Sequence, residues 1–354
     1  MDRRVKKVIA ELQRVGADVL FTTNPLDVFY FTGFHASRAD LFIHVDGTVR
    51  MYLDGRYYDK AKKQLSIDVQ PFANTKNVLG GAKGKSILVD SRHLTKFDYD
   101  RCLAFANESH STLVAYEFSF QSFRSQKTED EVDKIQKSSD LTCDGFNYIL
   151  PHLKEGVTEI ELAQKLKIYL LEKGAEEMAF EPIIAFGANT SFPHHQVTSN
   201  QLRKDDIVLI DMGVRRQMYC SDMTRTFFVG QPNPELVTIW QIVREAQARA
   251  LSICRAGVTI KDVDHISRSY IKDAGYGDFY KHGLGHGLGI EIHEYPLMRP
   301  NHAHMSGALE AGSVVTIEPG IYLDIGGVRI EDTILITEDG YKSFTHSPIS
   351  MMLD

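Results

Sequence analysis

Residues 156–175 read GVTEIELAQKLKIYLLEKGA and residues 257–276 read GVTIKDVDHISRSYIKDAGY, so one pattern occurs twice in the chain. Each copy opens with Gly-Val-Thr and closes with a glycine 18 residues after the first. A threonine before an amphipathic run and a glycine behind it are common helix caps. The predicted caps are Thr158 and Gly174 in the first copy and Thr259 and Gly275 in the second. The second part of the chain is therefore predicted to be an internal duplication.

Each predicted helix is followed by a histidine-bearing segment and then by two strands that each hold a carboxylate. The histidine segments read SFPHHQ at 191–196 and IEIHEYP at 290–296. The carboxylates are Asp211 and Asp222 in the first copy and Glu318 and Glu331 in the second. The opening glycines are 101 residues apart, and the first and second carboxylates are 107 and 109 residues from their counterparts. Since these offsets nearly agree, two α+β halves related by a pseudo-two-fold axis are expected to bring the four carboxylates to one centre.

These carboxylates predict a metal site, because a buried ionised carboxylate is costly unless a cation or a partner compensates it. The alternative is a buried salt-bridge network that uses Arg225 and Arg329. Two divalent cations would neutralise four carboxylates, and a two-ion site can activate a bridging water. His286 in HGLGHGLG (282–289) is the expected nitrogen ligand, because flanking glycines allow close backbone approach. The glycines also exclude a zinc-protease helix here. Oxygen-rich ligation with one nitrogen favours Mn²⁺, with Co²⁺, Fe²⁺ and Zn²⁺ as alternatives.

Two histidines occupy matching places in the two copies. His194 lies in a loop, and His293 is predicted to end a short strand over 288–293. Such a pair can donate hydrogen bonds to a tetrahedral intermediate and its leaving group, so both are candidate catalytic residues. His195 is a candidate for the wall of the same cleft. The histidines interpreted as ordinary surface or core residues include His302 and His304.

Residues 1–125 are predicted to form a separate α/β domain. The runs that indicate strands lie at 17–23, 40–45, 49–54 and 86–91. Asp46-Gly47 between two of these runs indicates a hairpin turn. A charged stretch ends this part, and Thr128 and Glu131 then form a capping box that starts a new helix. A chain of 354 residues is long enough for two domains, which we place at 1–125 and 126–354.

Composition narrows the function classes. The chain is 43% apolar with a formal net charge of −7, which is typical of a folded protein and disfavours general nucleic-acid binding. No apolar run approaches the length of a membrane span. The four cysteines are scattered without a CxxC motif, as expected for free thiols in a reducing cytoplasm. A cytoplasmic protein that binds neither nucleic acid nor membranes is therefore expected.

Five segments of the second part resemble, in sequence and in order, the pita-bread metallopeptidases: aminopeptidase P, prolidase, methionine aminopeptidase and the related creatinase. The segments are LIDMG (209–213), YCSDMTRTF (219–227), HGLGHGLGIEIHEYP (282–296), TIEPGIY (316–322) and GVRIEDT (327–333). In the first part, NPLDVFYFTGF (24–34) and LDGRYYDKAKKQL (53–65) resemble the family's creatinase/prolidase-type domain. The resemblance implies an α/β N-terminal domain followed by an α+β pita-bread domain with a pseudo-two-fold internal repeat.

The resemblance also implies roles for individual residues. The metal ligands would be Asp211, Asp222, His286, Glu318 and Glu331. The catalytic residues would be His194 and His293 together with Glu318, which would take or relay a proton. Arg329, Tyr219 and Thr224 match positions near the ligands or the substrate.

Family members of this length are usually Xaa-Pro peptidases, and the resemblance implies a homodimer. The expected activity is hydrolysis of the bond between an N-terminal residue and proline by a hydroxide bridging two ions. An Xaa-Pro dipeptidase (prolidase), a small-amide hydrolase and a non-catalytic peptide-binding protein on the same fold are the alternatives. No clear match exists to the arginine with which some prolidases bind a dipeptide's carboxylate, although Arg299 is nearby. This departure favours an aminopeptidase.

Overall fold

The chain is described by a computed structural model. It describes residues 2–72, 82–116, 119–299 and 307–353. His302 and His304 therefore lie outside the described residues. The chain forms two compact units, Met1–Arg124 and Ser125–Asp354. In the part of the chain that the structure describes, no helix is both long and apolar enough to cross a lipid bilayer.

The first unit is built on a mixed six-stranded sheet in the order β4-β3-β2-β1-β5-β6. The strands are β1 (Val19–Thr22), β2 (Ala39–His44), β3 (Val49–Leu53), β4 (Asp68–Pro71), β5 (Ser86–Val89) and β6 (Thr112–Ala115). The helices are α1 (Arg3–Val15), α2 (Pro25–Thr32), α3 (Tyr58–Gln64) and α4 (Lys96–Ser109). The α/β class expected for this part is confirmed.

The turn between β2 and β3 is the predicted hairpin. Gly47 adopts a positive φ of 89°, and Asp46 Oδ1 accepts a hydrogen bond from the backbone N–H of Thr48 at 2.8 Å. The two strands pair antiparallel. The four predicted strands of this unit are all present. Strands β4 and β6 were not predicted, because DVQP and TLVA are only four residues long and DVQP ends in a proline.

The second unit contains four longer helices and thirteen strands among the described residues. The helices are α5 (Glu129–Ile149), α6 (Glu159–Glu172), α7 (Pro234–Ile253) and α8 (Ile260–Asp273). The strands are β7 (Glu177–Met178), β8 (Ile183–Phe186), β9 (Ile207–Met212), β10 (Val214–Arg216), β11 (Tyr219–Cys220), β12 (Met223–Phe228), β13 (Gly285–Gly287), β14 (Glu294–Met298), β15 (Val314–Ile317), β16 (Gly320–Leu323), β17 (Gly326–Arg329), β18 (Asp332–Ile336) and β19 (Tyr341–Ser343). Helix α5 starts at the predicted capping box of Thr128 and Glu131.

The second unit repeats one arrangement twice, as the duplicated pattern predicts. The first half has helices α5 and α6, the antiparallel sheet β12-β9-β8 and the hairpin β10–β11. The second half has helices α7 and α8, the sheet β14-β13-β15-β18-β19 and the hairpin β16–β17. In each half the hairpin lies between the two strands that carry the carboxylates. The halves thus present their carboxylates from equivalent places.

The predicted helix caps are confirmed in both copies. The Thr158 side chain accepts from the N–H of Glu161, and the Thr259 side chain accepts from the N–H of Asp262. The closing glycines have φ of 99° and 92°, the left-handed conformation that glycine adopts without strain. The residues before the threonines also correspond. Gly156 N–H donates to Leu202 O at 2.8 Å, and Gly257 N–H donates to Leu309 O at 2.9 Å.

Side-chain alternation along β9 separates the core from the site. Val208 and Ile210 pack against the apolar faces of α5 and α6, in one cluster with Leu166. Leu209 packs in a different cluster, because successive side chains of a strand point to opposite faces. Asp211 is two residues from Leu209, so its side chain points to the same face of the sheet as that of Leu209. The helices therefore hold β9 in place and leave Asp211 on the other face of the sheet.

The glycine-rich segment around His286 forms the strand β13 rather than a helix. A Cβ on Gly285 would lie 2.0 Å from Thr316 O, and one on Gly287 would lie 2.3 Å from Tyr295 O. Only glycine allows the neighbouring strands to approach so closely. The strand predicted over 288–293 was wrong. The register with β14 shifts between His286 and Gly287, and regular pairing ends at Gly287, so residues 288–293 form the bent connection from β13 to β14.

Candidate active site

Four carboxylates and one imidazole come together where the two halves of the second unit meet. Asp211 lies on β9 opposite Thr224 of β12, and Asp222 immediately precedes β12. Glu318 follows β15, Glu331 precedes β18, and His286 is the central residue of β13. Thr224 Oγ1 donates to Glu331 Oε2 at 2.7 Å, which joins the two halves directly. All five predicted metal ligands line one cleft.

The distances among these side chains are short. His286 Nε2 lies 3.5 Å from Asp222 Oδ2 and 3.4 Å from Glu318 Oε1. One ligand atom each from Asp222, His286 and Glu331 lie within 4.8 Å of one another. Asp211 is joined to this group through Arg329, whose Nη2 donates to Asp211 Oδ2 at 2.6 Å. The arrangement places oxygen and nitrogen donors around a common volume.

The charges of this group are uncompensated. Burial, together with repulsion from neighbouring carboxylates, raises the pKa of Asp222 and of Glu331 well above the usual range. Burial likewise raises the pKa of Glu318 to about 8. Arg329 is the cation paired with Asp211, whereas Arg225 pairs with Asp332 at 2.8 Å and with backbone carbonyls. A salt-bridge network through these two arginines therefore leaves most of the negative charge unbalanced.

Two observations show that divalent cations fit these residues. The Oδ1 atoms of Asp211 and Asp222 are buried and have no hydrogen-bond partner among the described residues, which is unusual for buried polar atoms. His286 Nδ1 faces the carbonyl of Gly287 at 3.1 Å, so Nδ1 carries the proton. Burial lowers the pKa of His286 to about 3, which keeps the ring neutral. The lone pair on Nε2 then faces carboxylate oxygens, an arrangement that a cation between them makes favourable.

A chain of hydrogen bonds behind the carboxylates contains two residues that the sequence interpretation missed, His282 and Tyr322. His282 Nδ1 faces Gly283 O at 2.8 Å and so carries a proton. Burial lowers the pKa of His282 to about 3, so its neutral ring accepts from Tyr322 Oη at 2.8 Å. Tyr322 Oη in turn accepts from Arg329 Nη1 at 2.8 Å. The chain ends at Asp211 and fixes the direction of that carboxylate.

The two candidate catalytic histidines both line the cleft. The ring of His293 packs edge-on against His286 with 4.3 Å between centroids. Burial lowers the pKa of His293, and the nearby charge of Arg299 acts in the same direction. His194 is exposed in the cleft, and the neighbouring Pro193 O accepts from Arg329 Nη1 at 3.3 Å. The structure thus brings both imidazoles beside the carboxylates.

The remaining predicted residues lie in different places. His195 lines the cleft, and its Nε2 donates to the buried carboxylate of Glu159 at 2.8 Å. Arg329 Nε donates to Thr224 Oγ1 at 3.2 Å. Tyr219 donates its hydroxyl to Glu131 of α5 at 2.9 Å and is not among the residues that line the cleft. Its hairpin turns toward a helix and not toward the carboxylates.

The cleft has a volume of about 940 Å³, which suits a small peptide. The carboxylates and imidazoles line it together with apolar and positively charged residues, including Phe180, Ile183, Ile292, Lys281 and Arg299. A mixed cleft with convergent polar groups is typical of a binding site for a small substrate.

Comparisons with known proteins agree with this geometry. Residues 133–338 match "Metallopeptidase family M24", and residues 4–125 match "Creatinase/Prolidase N-terminal domain". A relative from Staphylococcus aureus, described as an uncharacterised peptidase, is 36% identical over 351 residues, 97% of this chain and 99% of that protein. The similarity therefore extends over both units.

Solved structures resemble the whole chain. The prolidase of Pyrococcus horikoshii is 32% identical, with a TM-score of 0.90 over 99% of this chain and 100% of that one. The Xaa-Pro dipeptidase of Bacillus anthracis is 30% identical, with a TM-score of 0.92 over 99% and 98% of the two chains. The X-Pro aminopeptidase of Thermotoga maritima is 29% identical, with a TM-score of 0.85 over 99% of each chain.

These likenesses confirm the expected fold class, an α/β domain followed by a pita-bread domain, and the expectation of a hydrolase. With more than half of its residues matched by one family and relatives aligned along nearly its full length, the chain belongs to metallopeptidase family M24.

Proposed function

We propose that this protein is a two-metal exopeptidase that hydrolyses the bond between an N-terminal residue and a following proline. The observation that carries the proposal is the convergence of four carboxylates and His286 in a cleft. Its support is the likeness, along the whole chain, to structures described as a prolidase, an Xaa-Pro dipeptidase and an X-Pro aminopeptidase.

The metal ligands in this proposal are Asp211, Asp222, His286, Glu318 and Glu331. When two divalent cations are bound, they supply an activated water and polarise the scissile carbonyl. Mn²⁺ is the proposed ion, since most donors are hard carboxylate oxygens, and Co²⁺, Fe²⁺ and Zn²⁺ are alternatives. Arg329 and Thr224 keep two of the carboxylates oriented through the hydrogen bonds on Asp211 and Glu331.

The chain's own residues supply proton transfer and hydrogen bonding. Glu318 is suited to accept and relay the proton of the attacking water, because its side chain remains 17% exposed and Thr316 Oγ1 donates to Oε1 at 3.3 Å. His293 and His194 are placed to donate to the developing oxyanion and to the proline nitrogen. The substrate's free amine faces the carboxylates, which restricts cleavage to the first residue.

The finer proposal is an aminopeptidase that acts on peptides longer than two residues. A specific observation also favours the dipeptidase alternative. Arg299 lines the cleft, and the structure gives its guanidinium no hydrogen-bond or ion-pair partner among the described residues. A free guanidinium can bind a terminal carboxylate, which in a dipeptide lies one residue from the scissile bond.

A single substrate panel tests both versions. Purified full-length protein loaded with Mn²⁺ is assayed on an Xaa-Pro dipeptide, an Xaa-Pro tetrapeptide and a Met-Ala tetrapeptide. We expect cleavage of the Xaa-Pro tetrapeptide with the highest kcat/KM and no cleavage of the Met-Ala peptide. Preference for the dipeptide that is lost in Arg299→Gln would establish the dipeptidase. Failure to cleave either Xaa-Pro substrate would overturn the proposal.

The proposal extends to a cytoplasmic homodimer. All four cysteines are free, as expected in a reducing compartment, and the homodimer follows from the family resemblance. Light scattering coupled to size-exclusion chromatography tests the assembly. A mass near 80 kDa, twice the 40.0 kDa of the chain, is the expected result.

A further inference from the structure

The loop that carries His194 is gathered around one buried carboxylate, that of Glu159. Glu159 is the first residue of α6 and is fully buried. Its carboxylate accepts from Phe186 N at 3.0 Å, Asn189 Nδ2 at 2.9 Å, His195 Nε2 at 2.8 Å, Thr198 N at 2.9 Å and Thr198 Oγ1 at 2.7 Å. A single side chain therefore fixes both ends of the loop.

The two oxygens of this carboxylate take their shorter hydrogen bonds from opposite sides of His194. Oε1 accepts from Phe186 and Asn189, which precede His194, and over a longer distance of 3.5 Å from Asn200 Nδ2, which follows it. Oε2 accepts from His195 and Thr198, which follow it. Shortening, rotating or neutralising the side chain would release the loop on both sides of the imidazole.

His194 depends on this support because its own side chain makes no hydrogen bond within the described residues. Its position is set by the backbone, which is held at Pro193 O by Arg329 and on either side by Glu159. An imidazole that must meet a reacting group within hydrogen-bond distance is sensitive to shifts of an ångström or less.

Helix α6 does not require this carboxylate. The equivalent residue of α8, one after the capping threonine, is Ile260, which is also fully buried. The capping box of α6 uses Glu161, not Glu159. The duplicated helix therefore starts equally well with an apolar residue, and the hydrogen bonds of Glu159 serve the histidine loop.

We propose that Glu159 is a positioning residue for peptide hydrolysis, which acts by holding His194 in the cleft. The inference rests on the proposed function, since it needs a reaction in which His194 takes part. Burial would raise the pKa of Glu159, but hydrogen bonds from His195, Asn189 and Thr198 outweigh it and the net pKa is lowered. The carboxylate is thus ionised at neutral pH and accepts at both oxygens.

The test compares Glu159→Gln with Glu161→Gln in the Mn²⁺-loaded full-length protein on an Xaa-Pro tetrapeptide. Glu161 lies two residues away on the same helix but bonds only its own cap at Thr158. We expect Glu159→Gln to lower kcat about 10- to 100-fold, with KM changed less than about threefold and bound metal unchanged. Glu161→Gln is expected to keep kcat within about twofold of wild type.

A double-mutant cycle separates positioning from a general structural role. In a His194→Ala background, Glu159→Gln should change kcat by less than about threefold, because the group that it positions is already absent. An equal loss in both backgrounds, a wild-type kcat in Glu159→Gln, or an equal loss in Glu161→Gln would overturn the inference. An inactive wild-type protein would instead refute the proposed function.

If Glu159→Gln does not fold, Asn189→Ala and Thr198→Ala remove donors from the same carboxylate one side at a time. Each should lower kcat by less than the 10- to 100-fold expected for Glu159→Gln, roughly three- to tenfold, and neither should lower it further in the His194→Ala background. Unchanged kcat in both variants would overturn the inference.

Discussion

The two hairpins of the second unit occupy the same place in the duplication but make different contacts. Hairpin β10–β11 joins the two aspartate strands, pairs with β7 and directs Tyr219 to Glu131 of α5. Hairpin β16–β17 joins the two glutamate strands and directs Arg329 into the cleft, with Tyr322 hydrogen-bonded to Arg329. The duplication therefore determines where the carboxylates lie, whereas later divergence determines which hairpin supports them.

Glycines explain why the second hairpin reaches the site. A Cβ on Gly327 would lie 2.4 Å from Thr190 O, so only glycine lets the hairpin pack against the turn that begins the His194 loop. Gly327 N–H also donates to Thr190 Oγ1 at 2.8 Å. The first hairpin instead turns through Gln217 and Met218, both with positive φ. The hairpin of the second half thus braces the histidine loop of the first.

The largest effect should show that the carboxylates of the two halves are equivalent. Asp222→Ala from the first half and Glu318→Ala from the second should each lower kcat about a thousandfold or more, because both remove a proposed ligand from one centre. Circular dichroism should show an intact fold, and elemental analysis should show fewer than two ions per chain. Glu338→Ala, at an exposed position of the second half, is the control. Full activity in either ligand variant would break the equivalence.

A smaller loss of kcat should distinguish the roles of the two hairpins. Arg329→Met leaves the carboxylate of Asp211 without its cation and should lower kcat about a hundredfold. Tyr219→Phe removes one hydrogen bond to Glu131 and should cost about 1 kcal/mol of unfolding free energy, with kcat within about twofold of wild type. Steady-state kinetics and thermal melts of both variants provide the measurement. A catalytic loss in Tyr219→Phe comparable with that of Arg329→Met would contradict the division of roles.

The third effect concerns pH and the charge of the centre. The pKa of Glu318 rises from its ordinary 4.5 to about 8, so the folded metal-free chain keeps a proton that the unfolded chain has released. Its unfolding free energy therefore falls as pH rises through this window. Between pH 6.5 and 8 one such group loses about 2 kcal/mol.

Thermal melts with and without a chelator test this sign. Tm of the chelated protein should fall from pH 6.5 to 8, and Mn²⁺ should abolish the fall. The lowered pKa values of His282 and His286 add stability as pH rises, mostly below pH 6.5, and between pH 6.5 and 8 they offset only part of the fall. Glu318→Gln should flatten the slope of the chelated protein. A rise in Tm with pH would show that burial does not raise the pKa of Glu318 as described.

The smallest effect is a loss of stability, which should be equal for the two copies of the duplicated helix. Thr158→Ala and Thr259→Ala each remove a helix cap and should cost about 1 kcal/mol, or roughly 2–4 °C in Tm. Neither threonine lies in the cleft, so kcat should not change. A much larger loss from one variant would mean that the two helices do not contribute alike.

Much of the centre could be predicted from the sequence because its residues are unusual in their local surroundings. Asp211 lies in an apolar strand and Glu318 directly follows one, where a charge needs compensation, and the glycines around His286 indicate close backbone approach. The duplication then matched Asp222 with Glu331. These features depend on local composition and spacing, which the sequence contains.

The other members of the site depend on orientation, which the sequence does not contain. Tyr219 and Tyr322 occupy corresponding hairpins, yet only Tyr322 is connected to a carboxylate of the site, through Arg329. His282 belongs to the site because it forms a hydrogen bond with Tyr322, which lies 40 residues farther along the chain. Glu159 resembles any acidic residue in the first turn of a helix, and its partners lie 27 to 41 residues farther along the chain. Tertiary packing, not local pattern, identifies these three.

Asp222 belongs to one half of the second unit, and His286 and Glu331 belong to the other. The affinity for an ion at this group is therefore coupled to the association of the two halves. By thermodynamic linkage, an ion that binds only when the halves are apposed must pull them together, and whatever parts them must release it. Amide hydrogens along this internal border should therefore exchange faster after demetallation, while those deep within each half keep their protection. A bound cation would therefore stabilise the association of the two halves in addition to its role in catalysis.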